Sequence, residues 1–453
     1  MAARQDTAVR HPHLPEGWLE APLGTVADVR FSSVDKLAYP SEEPVRLCNY
    51  LDVYKNDYIT GDLGFMGASA TQPEIDRFGL QVGDVIVTKD SETPYDIGIP
   101  AVVDYAAPDL VCGYHLGLIR PDKAEIDPTF LAKQLGHARI AGYFAGQANG
   151  LTRYGLPIGS LVAAPLWLPP LAEQGAAGRL FRLVDQAITQ TQAVIAKLKQ
   201  TRTGLLHDLL TRGLDENGEL RDPIARPEQF KNSPLGKIPL EWTVLNIQQL
   251  LANVAHPFRS GPFGSALLKS ELKPAGIPLL GIDNVHVERF SGDFSRFVGE
   301  EKLRELQRYA VRPYDIMITV MGTVGRCCVV PHDIGTALSS KHVWTVSLDL
   351  DRYSPSLACW QINNAPWVLR QLRRDEQGGV MTAIRSETLR ALLLPVPRLQ
   401  EMDAIDAVVR ESTAYIAREE NELDKLRLLK SGLTSDLLTG RVRVPPDLLE
   451  NPA

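Results

Sequence analysis

The side chains best placed to do chemistry in this chain lie on or beside its turns. In the second half Arg259, Ser260, Lys269, Arg326 and Lys341 are such residues, Arg326 following a glycine turn between two apolar runs, and Arg373 and Arg374 stand further on. At the corresponding turn the first half offers Lys89, Ser91 and Tyr95, and later Arg153 and Tyr154. Arginine, lysine and serine hydrogen-bond base edges, whereas lysine, arginine and backbone amides hold phosphates. These residues are therefore candidate nucleic-acid contacts, and the plain alternative for each is a solvated surface charge.

Catalytic equipment is harder to find. There is no G-x-x-x-x-G-K-[ST] phosphate loop for ATP-driven work. Neither an Asn-Pro-Pro-Tyr or Asp-Pro-Pro-Phe motif nor a glycine fingerprint between a clear strand and helix provides for methyl transfer. The short Gly322 to Gly325 segment reads as a hairpin turn. His11 and His13 lie in a tail expected to be disordered over residues 1–13, and no histidine pairs with cysteine at metal spacing. The cysteines Cys48, Cys112, Cys327, Cys328 and Cys359 are odd in number and form no C-x-x-C pair, so they read as reduced core residues. No catalytic residue, metal or cofactor is expected. The net charge of -7 at pH 7 does not by itself suggest nucleic acid, so any such surface must be a local patch. No run of about eighteen apolar residues and no apolar signal core are present, which makes the cytoplasm the expected compartment and a membrane partner unexpected.

The elements that must position the candidates come in two copies. Leu166 to Gly213 aligns without a gap to Leu394 to Arg441 at an offset of 228 residues. Lys197-Leu198 falls on Lys425-Leu426, and Gly204 to Thr211 falls on Gly432 to Thr439. Upstream, Pro15-Glu16-Gly17-Trp18 resembles Pro239-Leu240-Glu241-Trp242, Asp84 to Thr88 resembles Asp315 to Thr319, and His115 corresponds to His342. Each half thus runs from a Pro-x-x-Trp start through a variable body into a proline-rich hinge and a helical repeat.

Both repeats carry a coiled-coil seam. In the first, Ala177, Phe181, Val184, Ile188, Thr191, Ile195, Leu198, Arg202, Leu205 and Leu209 recur at alternating spacings of four and three. In the second, Ile405, Val409, Ser412, Ile416, Glu419, Leu423, Leu426, Lys430, Leu433 and Leu437 do the same. Duplicate register favours the two helices pairing with each other, antiparallel rather than parallel. Pro169, Pro170, Pro395 and Pro397 mark the hinges. Short strands are predicted at Val45 to Leu47, Asp84 to Thr88, Ala101 to Val103, Leu116 to Ile119, Asp315 to Val320, Cys327 to Val330 and Val343 to Val346. Leu131 to Phe144 and Leu357 to Leu372 read as helices.

The expected fold class is α+β: two mixed α/β bodies separated by two long helices in an antiparallel coiled coil, with a pseudo-two-fold internal repeat. The boundaries are a tail over 1–13, a first body over 14–170, a central helix over 171–213, a polar linker over 214–236, a second body over 237–397, a distal helix over 398–439 and a tail over 440–453.

This arrangement resembles the specificity subunits of type I restriction-modification systems over nearly the whole chain. Leu168-Pro169-Pro170-Leu171-Ala172-Glu173-Gln174 looks like the family's hinge before its central helix, and Leu394 to Glu401 like the distal one, with Met402 where the first has Gln174. Gly261-Pro262-Phe263-Gly264-Ser265 and Gly322-Thr323-Val324-Gly325-Arg326 look like segments of the family's target recognition domains. The resemblance implies that each body reads one half of a split, asymmetric site on double-stranded DNA. It further implies that the helices space the bodies and dock two methyltransferase subunits, and that a restriction-translocase subunit joins for cleavage. Two other classes stay open: a coiled-coil scaffold binding only proteins, which fits the acidic charge, and an enzyme with a concealed site.

Overall fold

The computed structural model describes residues 14–320, 324–373 and 384–449, which divide into two compact units, residues 14–193 with 420–449 and residues 194–419. The first unit holds a body of two sheets. Its five-stranded sheet has the order Ala27–Phe31, Leu116–Pro121, Val85–Thr88, Pro100–Val103 and Tyr58–Ile59, and its three-stranded sheet the order Met66–Ala70, Glu43–Cys48 and Leu110–Cys112. The second unit's body has one sheet ordered Phe258–Ser260, Val343–Val346, Ile316–Thr319 and Cys327–Val329. Its other sheet runs Phe297–Val298, Ile277–Leu280, Ala337–Ser339 and Ala310–Val311. In both bodies the smaller or second sheet contains one parallel pair, Glu43–Cys48 with Leu110–Cys112 and Ile277–Leu280 with Ala337–Ser339. All-apolar strands such as Val-Ile-Val in Val85–Thr88 and Ile-Met-Ile in Ile316–Thr319 are buried on both faces, as a central strand requires.

Each central strand is entered through the same turn. The Asp84 carboxylate accepts from the Gln81 amide at 2.8 Å, and Asp315 accepts from the Arg312 amide at 2.7 Å. The residue before each aspartate has a left-handed backbone, Gly83 at φ 93° and Tyr314 at φ 65°. Glycine adopts this conformation freely; tyrosine does so at a cost of about 1 kcal/mol. Both aspartates are buried and neutralised by arginine, Asp84 by both arms of Arg120 at 2.8 and 2.7 Å and Asp315 by Arg259.

Each body also closes on itself. Leu19–Pro22 pairs antiparallel with Pro165–Leu168, and Thr243–Asn246 pairs with Leu393–Val396. The long helices Leu171–Thr211 and Leu399–Thr439 start just beyond the second strand of each pair. In the first unit Ala176, Ala177 and Phe181 from the start of the first long helix share a core with Leu437 and Leu438 from the end of the second. In the second unit Leu206, Leu209 and Leu210 share a core with Met402, Ile405 and Val409. The seam residues Phe181, Ile195, Leu209, Val409, Ile416, Leu423 and Leu437 are buried, and Val184, Ile188, Leu198, Leu205, Leu426 and Leu433 half-buried. Full burial of one such side chain stabilises by roughly 1.5–3 kcal/mol.

An arginine following each helix fastens the first turn of the other. Arg443 binds Glu173 with two bonds of 2.6 Å, and Arg221 binds Glu401 at 2.6 and 3.2 Å. Glu401 also accepts from the Trp242 indole at 3.0 Å and the Leu214 amide at 2.9 Å. A carboxylate in the first turn is favourably placed against the helix dipole. Gly213 at φ 63° and Gly440 at φ 68° allow the chain to turn out of each helix toward these arginines.

Three expectations need correction. Residues 214–236 are not a bare linker, because Leu214 and Arg221 are buried and the strand Phe230–Ser233 pairs with Gly236–Pro239. Leu131 to Phe144 is two helices, Pro128–Gly136 and Ala138–Gln147, because His137 is extended and its side chain accepts from the Arg139 amide at 3.4 Å. Leu357 to Leu372 divides into Pro355–Asn364 and Pro366–Arg373, since the residue before a proline, Ala365, is driven out of the helical region. All five cysteines are free and buried. Among the described residues no helix is long and apolar enough to cross a membrane.

Candidate nucleic-acid interface

Equivalent hairpins carry Lys89, Ser91 and Tyr95 in the first body and Arg326 in the second. In the first, Thr88 ends the central strand and its hydroxyl accepts from the Ile99 amide at 3.0 Å, while the Gly98 amide reaches the Thr88 carbonyl at 2.8 Å. In the second, the Thr319 hydroxyl accepts from the Arg326 amide at 3.0 Å, and the Gly325 amide reaches the Thr319 carbonyl at 2.9 Å. The residue after each threonine donates its amide to the carbonyl of the histidine just before the neighbouring strand: Lys89 to His115 and Val320 to His342, both at 3.1 Å. Gly98 and Gly325 have φ of 78° and 86°, which closes each loop without a side-chain clash. Between these fixed ends the sequence of the first body has residues 89–97 and that of the second only 320–324, of which 321–323 lie outside the described residues. A rigid base with unlike loops is a good platform for unlike contacts.

The longer loop forms one wall of a cleft of about 770 Å³. Ser91 lies opposite Tyr154 in a short strand pair, and Ser91 and Arg153 both line the cleft, so those three candidates are brought together. Ser91 is buried, which restricts its hydroxyl to the cleft wall, whereas Arg153 is exposed. Tyr95 is 82% exposed at the loop tip. Lys89 is turned inward: its ammonium donates to the Ser32 carbonyl at 3.4 Å and lies 5.0 Å from the Phe31 ring. The sequence reading missed Asp90, Glu92 and Asp96 in the cleft, His115 bonded to Asp90 at 2.8 Å, and Tyr50 stacked on Tyr54 with centroids 5.5 Å apart. A carboxylate can accept from a cytosine amino group, and tyrosine offers a stacking face. The correspondence of His115 with His342 was the available signal for this neighbourhood.

In the second body Arg326 is half-buried at the loop exit, and Lys341 and Lys269 are exposed. Lys341 lies beside Ser260, whose hydroxyl donates to the Lys341 carbonyl at 3.5 Å. Arg259 and Ser260 are corrections: both are buried in the strand Phe258–Ser260. The Arg259 guanidinium pairs with Asp315 and donates to the Ala310 carbonyl at 2.8 Å, the His256 carbonyl at 3.1 Å and Ser347 at 3.0 Å. Burial pushes its pKa down while the Asp315 charge opposes this, and no face remains for a base or phosphate. The His342 Nδ1 is buried without a hydrogen-bond partner, and burial, then Lys341 and Arg296, hold its pKa below the usual histidine value. Gly322, Thr323 and Arg374 lie outside the described residues, as does the Arg373 side chain. Among the described residues no cluster of three or more His, Cys, Asp or Glu could hold a metal ion.

Two mixed α/β bodies with two long helices are a recognisable class of fold. A solved specificity subunit of a type I restriction-modification system from M. genitalium shares it, with TM-score 0.55, 15% identity and coverage of 94% of this chain and 97% of the other. A chain solved in work on complex assembly and conformational transition of the type I restriction-modification system gives TM-score 0.53 at 15% identity, covering 95% and 99%. No family model matches the chain. Among curated proteins, one assigned as the MjaX type I restriction enzyme specificity subunit of Methanocaldococcus jannaschii is 22% identical over 449 residues, 95% of each chain. The EcoBI specificity subunit of Escherichia coli is 22% identical over 337 residues, 71% of this chain and 67% of its own. Along nearly its whole length, then, this chain is similar to specificity subunits of type I restriction enzymes.

Proposed function

We propose that this chain is the sequence-reading subunit of a type I restriction-modification complex, without catalytic chemistry of its own. Residues 14–170 and 237–397 are its two target recognition domains, each reading one half of a bipartite, asymmetric site on double-stranded DNA. The helices over 171–213 and 398–439 form an antiparallel coiled coil in a pseudo-two-fold repeat and dock two methyltransferase subunits. A restriction-translocase subunit joins this assembly for cleavage. The observation that carries the reading is the shared hairpin: the same threonine, glycine and histidine contacts hold loops of different length and composition. Similar helical units suit two copies of one partner, and dissimilar loops suit two half-sites.

Within this reading Tyr95, Arg153 and the Asp90 to Asp96 wall contact the first half-site, and Arg326, Lys341 and Lys269 the second, with Lys89, Ser91 and Tyr154 shaping the first contact surface. The acidic cleft also favours a second reading, a coiled-coil scaffold that binds only proteins, since carboxylates repel phosphate.

Reconstitution with the methyltransferase separates the two. The expected complex holds two methyltransferases per chain by mass and methylates a split site, and replacing residues 89–97 changes one half-site only. A complex that binds its partner but shows no DNA sequence preference supports the scaffold. One methyltransferase at saturation rejects the stoichiometry.

A further inference from the structure

A cation interrupts the heptad seam at the same place in both long helices, Arg202 in the first and Lys430 in the second, 228 residues apart. Each reaches the same repeat position on the opposite helix. The Lys430 ammonium lies 2.8 Å from Asp185, and the Arg202 Nε donates to the Thr413 hydroxyl at 3.1 Å, Asp185 and Thr413 being again 228 residues apart. Each cation then continues to a carboxylate of the body in its own unit: Lys430 to Asp57 at 2.6 Å, and Arg202 to Glu288. The sequence offers no repeat signal for these acids, because they lie in the variable bodies.

Both acids are held firmly. Asp57 and Asp185 also bind Lys133, at 2.9 and 2.6 Å, and Tyr58 donates to Asp185 at 2.8 Å. Glu288 sits in the two-residue turn between Val285–His286 and Arg289–Phe290 with φ of 59°, a left-handed conformation that glutamate adopts only at a cost. Its second oxygen accepts from Asn364 at 2.7 Å, so the turn is fixed with the carboxylate toward the helix. A strained residue in a well-determined setting points to a function that needs that setting. Polar seam positions lower stability but specify register.

We propose that Arg202 and Lys430 are positioning residues that key each recognition body to one setting on the helix pair, the key for each body being carried by the helix that follows the other body. The key faces a body carboxylate on one side and the partner helix on the other, so a body cannot rock without breaking both contacts. The consequence for DNA rests on the reading function proposed above: a body free to rock accepts its half-site at more than one offset.

The test uses the full chain with Arg202→Met and Lys430→Met, which make these two seam positions apolar. Without DNA, Arg202→Met is expected to raise amide exchange in Val285–Phe290 by roughly tenfold or more, the scale of a lost charged hydrogen bond. Residues 57–59 should be unaffected. Lys430→Met is expected to do the reverse. Arg202→Glu should loosen the same turn, and Arg202→Glu with Glu288→Arg should restore it. With the methyltransferase present, each methionine variant should methylate the parent half-sites at neighbouring spacer lengths as well.

Parent-like exchange in both methionine variants overturns the keying, as do equal loosening of both segments by either variant and absence of rescue. Loosened exchange with parent spacer selection overturns the positional role. A parent complex that methylates without sequence preference removes the reading function, while the exchange pattern still decides the keying.

Discussion

Arg259 and Arg326 show how differently two arginines beside a glycine-containing turn can be used. Arg259 neutralises buried Asp315, so Arg259→Ala should cost about 3–5 kcal/mol of stability by leaving an unpaired buried charge. Thermal unfolding should register that loss, and an unchanged melting temperature would show that the pair is dispensable. Arg326→Ala should leave folding intact and weaken DNA binding by the complex. If it reads guanine, discrimination at one position should relax by roughly 1–3 kcal/mol; a phosphate contact would weaken all sequences alike. Binding titrations on single-substitution site variants distinguish the two, and unchanged affinity and preference together would remove Arg326 from the interface. The difference between these residues was not legible in the sequence, because Arg259 follows apolar Phe258 and precedes Ser260 and glycine as a turn residue does, while its partner lies 56 residues away. Arg326 was legible because the glycine before it sets the turn locally.

At the level of elements, the seam, the central strands and the turns between them were visible in periodicity alone. The break at His137 was not, since that stretch keeps an apolar pattern through the break, and the break at Ala365 was signalled by Pro366 rather than by periodicity. Nor were the ties between each helix end and the other helix's start: Arg443 and Glu173 are 270 residues apart, although the shared position of Glu173 and Glu401 in the repeat was a signal. The seam supports a graded expectation. Leu198→Asp and Leu426→Asp should each destabilise the chain by several kcal/mol, because a charge among apolar neighbours is costly. Leu209→Asp should destabilise it more, Leu209 being fully buried where Leu198 is half-buried. Denaturant unfolding of the three variants tests the order; equal midpoints for all three and the parent would mean that the seam is not a core.

For the whole molecule, acid stability should report the charge cluster around Asp57. Burial works against this carboxylate, yet Lys133 and Lys430 hold its pKa at about 2, below the ordinary 3.8. A carboxylate with a depressed folded pKa adds stability that is complete above its unfolded value and lost as pH falls toward the folded one. Asp57→Asn should therefore be less stable than the parent at pH 5 to 7, and the gap should narrow between about pH 4 and 2. A gap independent of pH would show that the ionised form adds nothing.

The paired strands that open and close each body carry a different implication. Because Leu19–Pro22 lies beside Pro165–Leu168, and Thr243–Asn246 beside Leu393–Val396, everything between enters and leaves through one doorway two strands wide. Loops inside that doorway that do not touch the helices can change in length without asking the helices to move. Recombination that cuts at the two neighbouring strands would exchange a whole body as a cassette, and the incoming body would have to supply carboxylates in place of Asp57 and Glu288 for Lys430 and Arg202 to bind.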